Sequence, residues 1–91
     1  MALLDTATVR DRLEALPGWH FEEDAIHKEF AFDDFVSAVD FVKRLTEVAE
    51  EKEHHPDLEV SWGRVVVHLS THSAGGVTEK DLEMARAVEK L

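Results

Sequence analysis

The spacing of apolar residues changes repeatedly along this chain, and those changes constrain its fold more than any other feature. Residues 33–55, "DDFVSAVDFVKRLTEVAEEKEHH", are the longest segment in which apolar residues recur at i, i+3 and i+4. Segments on either side of it alternate apolar and polar residues, as half-buried strands do, and helical spacing returns near both ends of the chain. The order α-β-β-α-β-β-α predicts an α+β fold with helices packed on one face of a four-stranded antiparallel sheet.

Three helices are expected. The first covers about residues 6–16 and ends at Pro17-Gly18, a turn signal. The second begins after Asp33 as N-cap and stops before Pro56. The third covers residues 78–91 and starts with a T-x-x-D relative of the capping box. The inward residues are expected to be Val9, Leu13 and Leu16, then Phe35, Ala38, Val39, Val42, Leu45 and Ala49, then Leu82, Ala85, Val88 and Leu91.

Phe41 and Val48 fall outside the apolar stripe of the long helix, so its apolar face is wider than one contact with a sheet requires. A second packing surface, such as an interface between copies of the chain, would account for the excess.

Two hairpins are expected around the long helix. In the first, Trp19 and Phe21 alternate with polar residues and "EEDA" forms the turn, after which one mostly apolar parity contains Ile26, Lys28, Phe30 and Phe32. In the second, "LEVSW" and "RVVVHL" flank a tight turn at Gly63, with Val65, Val67 and Leu69 on one parity. Both tryptophans, Trp19 and Trp62, are assigned to the core by default.

Length and charge exclude several classes of function. Ninety-one residues without an internal repeat or linker predict a single domain, residues 1–91. The net charge of −10 argues against direct binding of nucleic acid and against an anionic membrane surface. No apolar run approaches the ~20 residues that cross a bilayer, and no secretion signal is recognisable. The absence of cysteine excludes disulfides and thiolate chemistry, and a cytoplasmic location is expected.

Histidines mark the candidate site. His54 and His55 stand in "EHHP" at the end of the long helix, and His72 stands in "STHSAGG" where a strand enters a glycine-bearing loop. Adjacent residues point in different directions, and the chain has neither an H-x-x-x-H nor a C-x-x-C pair, so no dedicated metal site is expected. Proton transfer fits better, because the ordinary pKa of imidazole, about 6.5, lies near working pH.

Plainer interpretations stand beside this one. His20 and His27 are expected to be solvated surface residues, and His68 is either a neighbour of the site or a satisfied surface group. Asp81 is favourable in a first helical turn without any function, and Glu50 belongs to a glutamate-rich, solvated stretch. The residues alone indicate a small α+β domain with a histidine-bearing pocket of unnamed chemistry.

A wider motif carries a resemblance to a known family. Its terms are Glu50, His54-His55-Pro56, Trp62, Thr71-His72, Gly75-Gly76, Thr78 and Asp81. This pattern resembles the signature of the pterin-4a-carbinolamine dehydratases. The similarity extends to "LPGW" and "HKEFAFDDF" and spans nearly the whole chain, although Trp62 stands where tyrosine is common.

The resemblance implies a lyase that removes water from 4a-hydroxytetrahydropterin and so regenerates a tetrahydropterin cofactor. His54 and His72 would be the principal acid–base pair, while His55, also assigned to the catalytic residues, would mainly orient the pterin and could take part in proton transfer. Asp81 would orient a histidine, and Glu50 would support the site in the same way. Trp19 and Trp62 would form apolar walls for the ring. The reaction involves no redox change, so neither a metal nor an organic cofactor is expected.

The resemblance also implies assembly and partners. A homodimer through the sheet edge or a homotetramer through the helices is expected, with a pterin-dependent hydroxylase or a regulatory protein as a possible partner. Three alternatives remain open from the sequence: a non-catalytic dimerisation module for a regulatory protein, a role in another pterin pathway such as molybdopterin metabolism, and a metal-binding domain.

Overall fold

The structure, a computed structural model, describes residues 2–91. Within them the helices are α1 (Thr6–Leu13), α2 (Phe35–Lys52) and α3 (Glu79–Val88), and the strands are β1 (His20–Glu22), β2 (Ala25–Ala31), β3 (Asp57–Ser61) and β4 (Arg64–Leu69). A 3-10 turn at His72–Ala74 links β4 to α3. The strands form one antiparallel sheet in the order β1-β2-β4-β3. The predicted α+β fold and element order are confirmed.

The core lies between one face of the sheet and the helices. The predicted parity of β4 is fully buried: Val65, Val67 and Leu69 are each 0% exposed. From the helices, the buried residues are Val9 in α1, Ala38, Phe41, Leu45 and Ala49 in α2, and Leu82, Met84, Ala85 and Val88 in α3. The side chains that alternate along the strands and those that recur every three to four residues along the helices are therefore buried against each other, as the sequence predicts.

Lys28 interrupts the apolar parity of β2 without interrupting the core. Its ammonium group donates to the carboxylate of Glu89 at 2.8 and 2.9 Å and to the carbonyl oxygen of Pro17 at 3.0 Å. The aliphatic part of the side chain covers apolar surface while the charge reaches polar partners at the edge.

The buried face of α2 differs from the predicted stripe. Phe41, predicted to lie off it, is 3% exposed, whereas Phe35, predicted to lie on it, is 51% exposed. The reason is aromatic packing, because the Phe41 ring lies 4.8 Å from that of Phe30 and 5.2 Å from that of Phe32. The apolar surface in excess of the core contact therefore lies at the N-terminal end of α2.

Several helix ends also differ from the prediction. The first helix ends at Leu13, three residues early, because residues 14–18 form the turn that leads into β1. The N-cap of α2 is Asp34 rather than Asp33, since the Asp34 carboxylate accepts from the backbone N–H of Ser37 at 2.8 Å. No helix within residues 2–91 combines the length and the apolarity that crossing a bilayer requires.

Besides Phe35, two other residues assigned to the core are exposed. Trp62 is 71% exposed because it occupies the tight β3–β4 turn, beyond the part of the sheet that the helices cover. Leu91 is 37% exposed because α3 ends at Val88. Trp19, in contrast, is 6% exposed and packs edge-on against Phe30, as expected for a core residue.

Candidate active site

The C-terminal end of α2, the end of β4 and the start of α3 meet around a depression of about 330 Å³. Its lining residues are Glu53, His54, His55, Ser70, Thr71, His72, Ser73 and Lys80. The three histidines selected from the sequence therefore lie in one place, although 17 residues separate His55 from His72.

The end of α2 determines where His54 and His55 point. Glu53 adopts the left-handed conformation, with φ 52° and ψ 41°, and its N–H donates to the carbonyl oxygens of the last helical turn. The N–H of His54 donates to Ala49 O at 3.1 Å. This left-handed cap ends the helix in one residue, and Pro56 prevents its continuation. His54 and His55 consequently lie beyond the last turn of α2, where both line the depression.

The loop after β4 positions His72. Thr71 pairs with Gly76 in an isolated bridge, with Thr71 N donating to Gly76 O at 2.8 Å. Between them the chain forms a short 3-10 turn that starts at His72 and closes at Gly75, where φ is +80°. Glycine suits this position because a side chain would strain the backbone there. The turn leaves His72 exposed at the rim of the depression.

Asp81 is the buried anchor of the site. It is 0% exposed and lies in the first turn of α3, where the helix dipole favours negative charge. Its Oδ2 accepts from Thr78 N and from Thr71 Oγ1, both at 2.9 Å, and its Oδ1 contacts His54 Nε2 at 2.5 Å. Because Thr71 donates its hydroxyl hydrogen to Asp81, the 2.8 Å contact between Thr71 and Thr78 is donated by the Thr78 hydroxyl.

This arrangement selects one tautomer of His54. A carboxylate accepts on both oxygens, so with Thr71 and Thr78 donating to Oδ2 the Oδ1 atom accepts from His54, whose Nε2 then carries the hydrogen. In the neutral ring, Nδ1 is then the atom that can accept a proton. The Asp81 carboxylate would stabilise the imidazolium that results, as orienting carboxylates do in other acid–base sites.

His55 is held differently. Its Nε2 contacts the Glu50 carboxylate one turn back along α2, and the two side chains are 63% and 69% exposed. The His54 side chain is 11% exposed. Solvent screens the exposed pair much more than the buried one. The His55–Glu50 contact therefore orients the ring but contributes less free energy than the His54–Asp81 contact.

Neither tryptophan lines this depression. Trp19 lies in the core, where its indole N–H donates to the Glu89 carboxylate at 3.2 Å. Trp62 lies in the turn that follows β3, about 17 Å from the start of that strand at Asp57 at ~3.3 Å per strand residue. The proposed walls for a ring are therefore not formed by these two residues within one chain.

Sequence reasoning missed the supports of the site. Thr71 and Thr78 were noted only as parts of a motif, whereas their hydroxyls form the chain that ends on Asp81. Lys80 and Ser70 were not considered, yet both line the depression. Lys80 directly precedes Asp81 in the first turn of α3, and that adjacency is the one signal that could have identified it.

Comparisons with known proteins identify the family of the chain. The family model described as pterin 4 alpha carbinolamine dehydratase matches residues 2–91. A relative from Sulfolobus acidocaldarius is 46% identical, with 97% of each chain covered, and one from Thermomicrobium roseum is 44% identical over 100% of this chain and 98% of its own. Both carry names that make them candidate pterin-4-alpha-carbinolamine dehydratases.

Solved structures show the same fold. A crystal structure described as a transcriptional coactivator/pterin dehydratase from Brucella melitensis is 38% identical, has a TM-score of 0.91, and is matched over 96% of this chain and 95% of its own. A pterin dehydratase-like protein described as a RuBisCO assembly factor of the alpha-carboxysome is 20% identical, with a TM-score of 0.65 over 79% of this chain and 83% of its own, a likeness of fold alone. By sequence and by fold, this chain belongs to the pterin-4-alpha-carbinolamine dehydratase family.

Proposed function

We propose that this chain catalyses the dehydration of a 4a-hydroxytetrahydropterin to the quinonoid dihydropterin, with His54 and His72 as the acid–base pair. The observation that carries the proposal is the convergence of three histidines on one depression, with one of them held in a single tautomer by a buried carboxylate. Membership of the dehydratase family supports the class of substrate.

The reaction requires two proton transfers and no electron transfer. A base removes the proton from N5, the C4a–O bond breaks, and an acid protonates the departing hydroxyl so that it leaves as water. The electron pair from the N5–H bond becomes the second bond between N5 and C4a. Two imidazoles suffice, and such assistance typically contributes about 10²–10⁴-fold.

Roles follow from how each ring is held. His54 has its Nε2 engaged by Asp81, so its Nδ1 is the suitable base for the N5 proton. His72 is exposed at the rim, where it can protonate the departing hydroxyl and exchange protons with water. His55 positions the pterin with Glu50 behind it, and Lys80 is available for the polar edge of the ring.

The test compares dehydration rates of freshly generated 4a-hydroxytetrahydropterin for His54→Gln, His72→Gln and His55→Gln. We expect rates at least 100-fold lower for the first two and a rise in KM with a smaller loss of kcat for the third. Arg86→Gln is the matched control, because Arg86 lies on the exposed side of α3 outside the depression, and its rate should equal that of the native chain. Folded His54 and His72 variants that keep the native rate would reject these assignments.

We also propose that the chain self-associates through the N-terminal half of α2. Phe35 is 51% exposed and Val36 67% exposed, and with Val39 they line an apolar depression of about 220 Å³ flanked by Asp40 and Lys43. Because these two flanking residues are oppositely charged, a two-fold interface would let Asp40 of one copy meet Lys43 of the other. Phe35→Ser should lower the mass measured by light scattering. An unchanged mass would reject this interface.

A further inference from the structure

The sheet face opposite the helices carries a row of titratable side chains, one from each strand. The row is His20 of β1, His27 of β2, His68 of β4 and Asp57 of β3, paired in register. Cross-strand partners point to the same face of a sheet. His20 and His27, expected to be ordinary solvated residues, thus belong to an organised cluster, and His68 lies with them rather than with His72.

Hydrogen bonds fix where the hydrogens of the central two rings lie. His27 Nε2 is 2.8 Å from the carbonyl oxygen of Glu22, and His68 Nε2 is 2.5 Å from the carboxylate of Glu59. Carbonyl and carboxylate oxygens accept, so both rings carry a hydrogen on Nε2. In the neutral rings both Nδ1 atoms then present lone pairs, and these two atoms face each other at 2.6 Å.

Two facing lone pairs at that distance require a cation between them. A proton is the smallest cation that can fill this role. A transition-metal ion is the other suitable cation, because neutral imidazole nitrogen ligates it at about 2.0–2.1 Å. At those bond lengths, N–metal–N angles of about 90–109° place the two nitrogen atoms about 2.9–3.4 Å apart. The two Nδ1 atoms reach that separation if they move apart by less than ~1 Å.

The outer partners match those that metal-binding histidines have. Such histidines almost always donate their other ring N–H to a carboxylate or a backbone carbonyl, which orients the ring and increases its basicity. His27 donates to a carbonyl and His68 to a carboxylate. The orienting contacts of a two-histidine site are thus already in place.

The surroundings favour cations. The pair borders a depression of about 310 Å³ whose lining residues are His20, Glu22, Glu23, His27, Glu29, Val66 and His68. Asp57 and Glu59 add two more carboxylates on this face, and its basic residue, Arg64, lies 3.6 Å from Glu29. Clustered carboxylates raise the local concentration of cations.

We propose that His27 and His68 bind one late first-row divalent cation through their Nδ1 atoms, with Cu²⁺ bound most tightly and Ni²⁺ and Zn²⁺ more weakly. Within residues 2–91 no three His, Asp or Glu side chains already surround a common metal position. Water therefore completes the coordination, or His20, whose ring centroid is 5.2 Å from that of His27, rotates to supply a third nitrogen. The bound ion joins the central strands β2 and β4.

Calorimetric titration of the metal-stripped full chain with Cu²⁺ and with Zn²⁺ tests the proposal. We expect one ion per chain, at least a tenfold loss of affinity in His27→Gln and in His68→Gln, and a loss of about 10–100-fold in Glu59→Gln through its orienting role. His55→Gln is the matched control in the other histidine cluster and should bind as the native chain does. Affinity should also fall on acidification, because protons compete with the ion for the imidazole nitrogens.

Nitrogen NMR of the imidazoles in the native chain gives a readout independent of the variants. Zn²⁺ should shift the Nδ1 signals of His27 and His68 while their Nε2 atoms stay protonated. Binding weaker than about 1 mM, loss of the ion in His55→Gln instead, or ligation through Nε2 would each overturn the proposal.

Discussion

Replacing Asp81 by asparagine tests the buried network with almost no change of shape. The backbone N–H of Thr78 donates to Oδ2 at 2.9 Å and can only donate, so the amide oxygen of asparagine must occupy that position. The amide NH₂ then faces His54 Nε2, where the native carboxylate accepted. Two donors cannot face each other, so His54 must move its hydrogen to Nδ1.

The magnitudes follow from that exchange. A hydrogen bond to a charged group contributes about 1.5–3 kcal/mol, so Asp81→Asn should lower the free energy of unfolding by about 2 kcal/mol. For a chain of this length that corresponds to a fall in Tm of about 8–16 °C. If His54 Nδ1 is the base, dehydration should slow by about 10²–10⁴-fold, because the proton now occupies the accepting atom.

Three measurements separate these effects. Urea unfolding followed by Trp19 fluorescence gives the stability, nitrogen NMR of the His54 ring gives the tautomer, and stopped-flow kinetics gives the rate. Glu50→Gln is the matched control, since it makes the same chemical change in the exposed pair with His55 and should cost less than about 0.5 kcal/mol. An Asp81→Asn variant as stable as the native chain, with His54 still protonated on Nε2, would refute the reasoning.

Three further predictions concern stability. Leu82→Ala should cost about 2–5 kcal/mol in urea unfolding because Leu82 is 0% exposed, and a cost under 1 kcal/mol would show that the site collapses around the smaller side chain. Gly75→Ala should cost roughly 1–2 kcal/mol through its φ of +80° alone, since an added Cβ meets nothing within 4 Å. Gly75→Asn should cost less, and equal losses would contradict a backbone cause. The side-chain hydrogen bond from Arg12 lowers the pKa of Glu79 below its ordinary 4.5, so this pair stabilises the fold above that pH and the contribution is lost as pH falls through the lowered pKa. In Arg12→Gln the free energy of unfolding should therefore fall less steeply as the pH is lowered through the acidic range. An unchanged slope would contradict the claim that Arg12 lowers the pKa of Glu79.

The elements were predictable wherever one periodic pattern decided burial. β4 is the clearest case, because Val65, Val67 and Leu69 share one parity and all three are buried. Local signals also placed the candidate histidines, since Pro56 and the glycines of the downstream loop end the elements that carry them. These features depend on neighbours within a few residues of chain.

The remaining features depend on contacts between distant residues. Phe41 is in the core because the rings of Phe30 in β2 and Phe32 just after it pack against it, which no single-helix pattern reports. His54 and Asp81 are 27 residues apart, so their hydrogen bond depends on how α2 and α3 meet. The facing rings of His27 and His68 depend on the register of β2 and β4, and a slip of one residue would turn one ring to the other face of the sheet.

The most direct test of the account is the rate at which the native chain dehydrates 4a-hydroxytetrahydropterin, measured beside the double variant His54→Gln/His72→Gln. The account predicts acceleration well above the spontaneous reaction by the native chain and a return to the spontaneous rate in a folded double variant. Equal rates for the two folded proteins would contradict the claim that these histidines form an acid–base site.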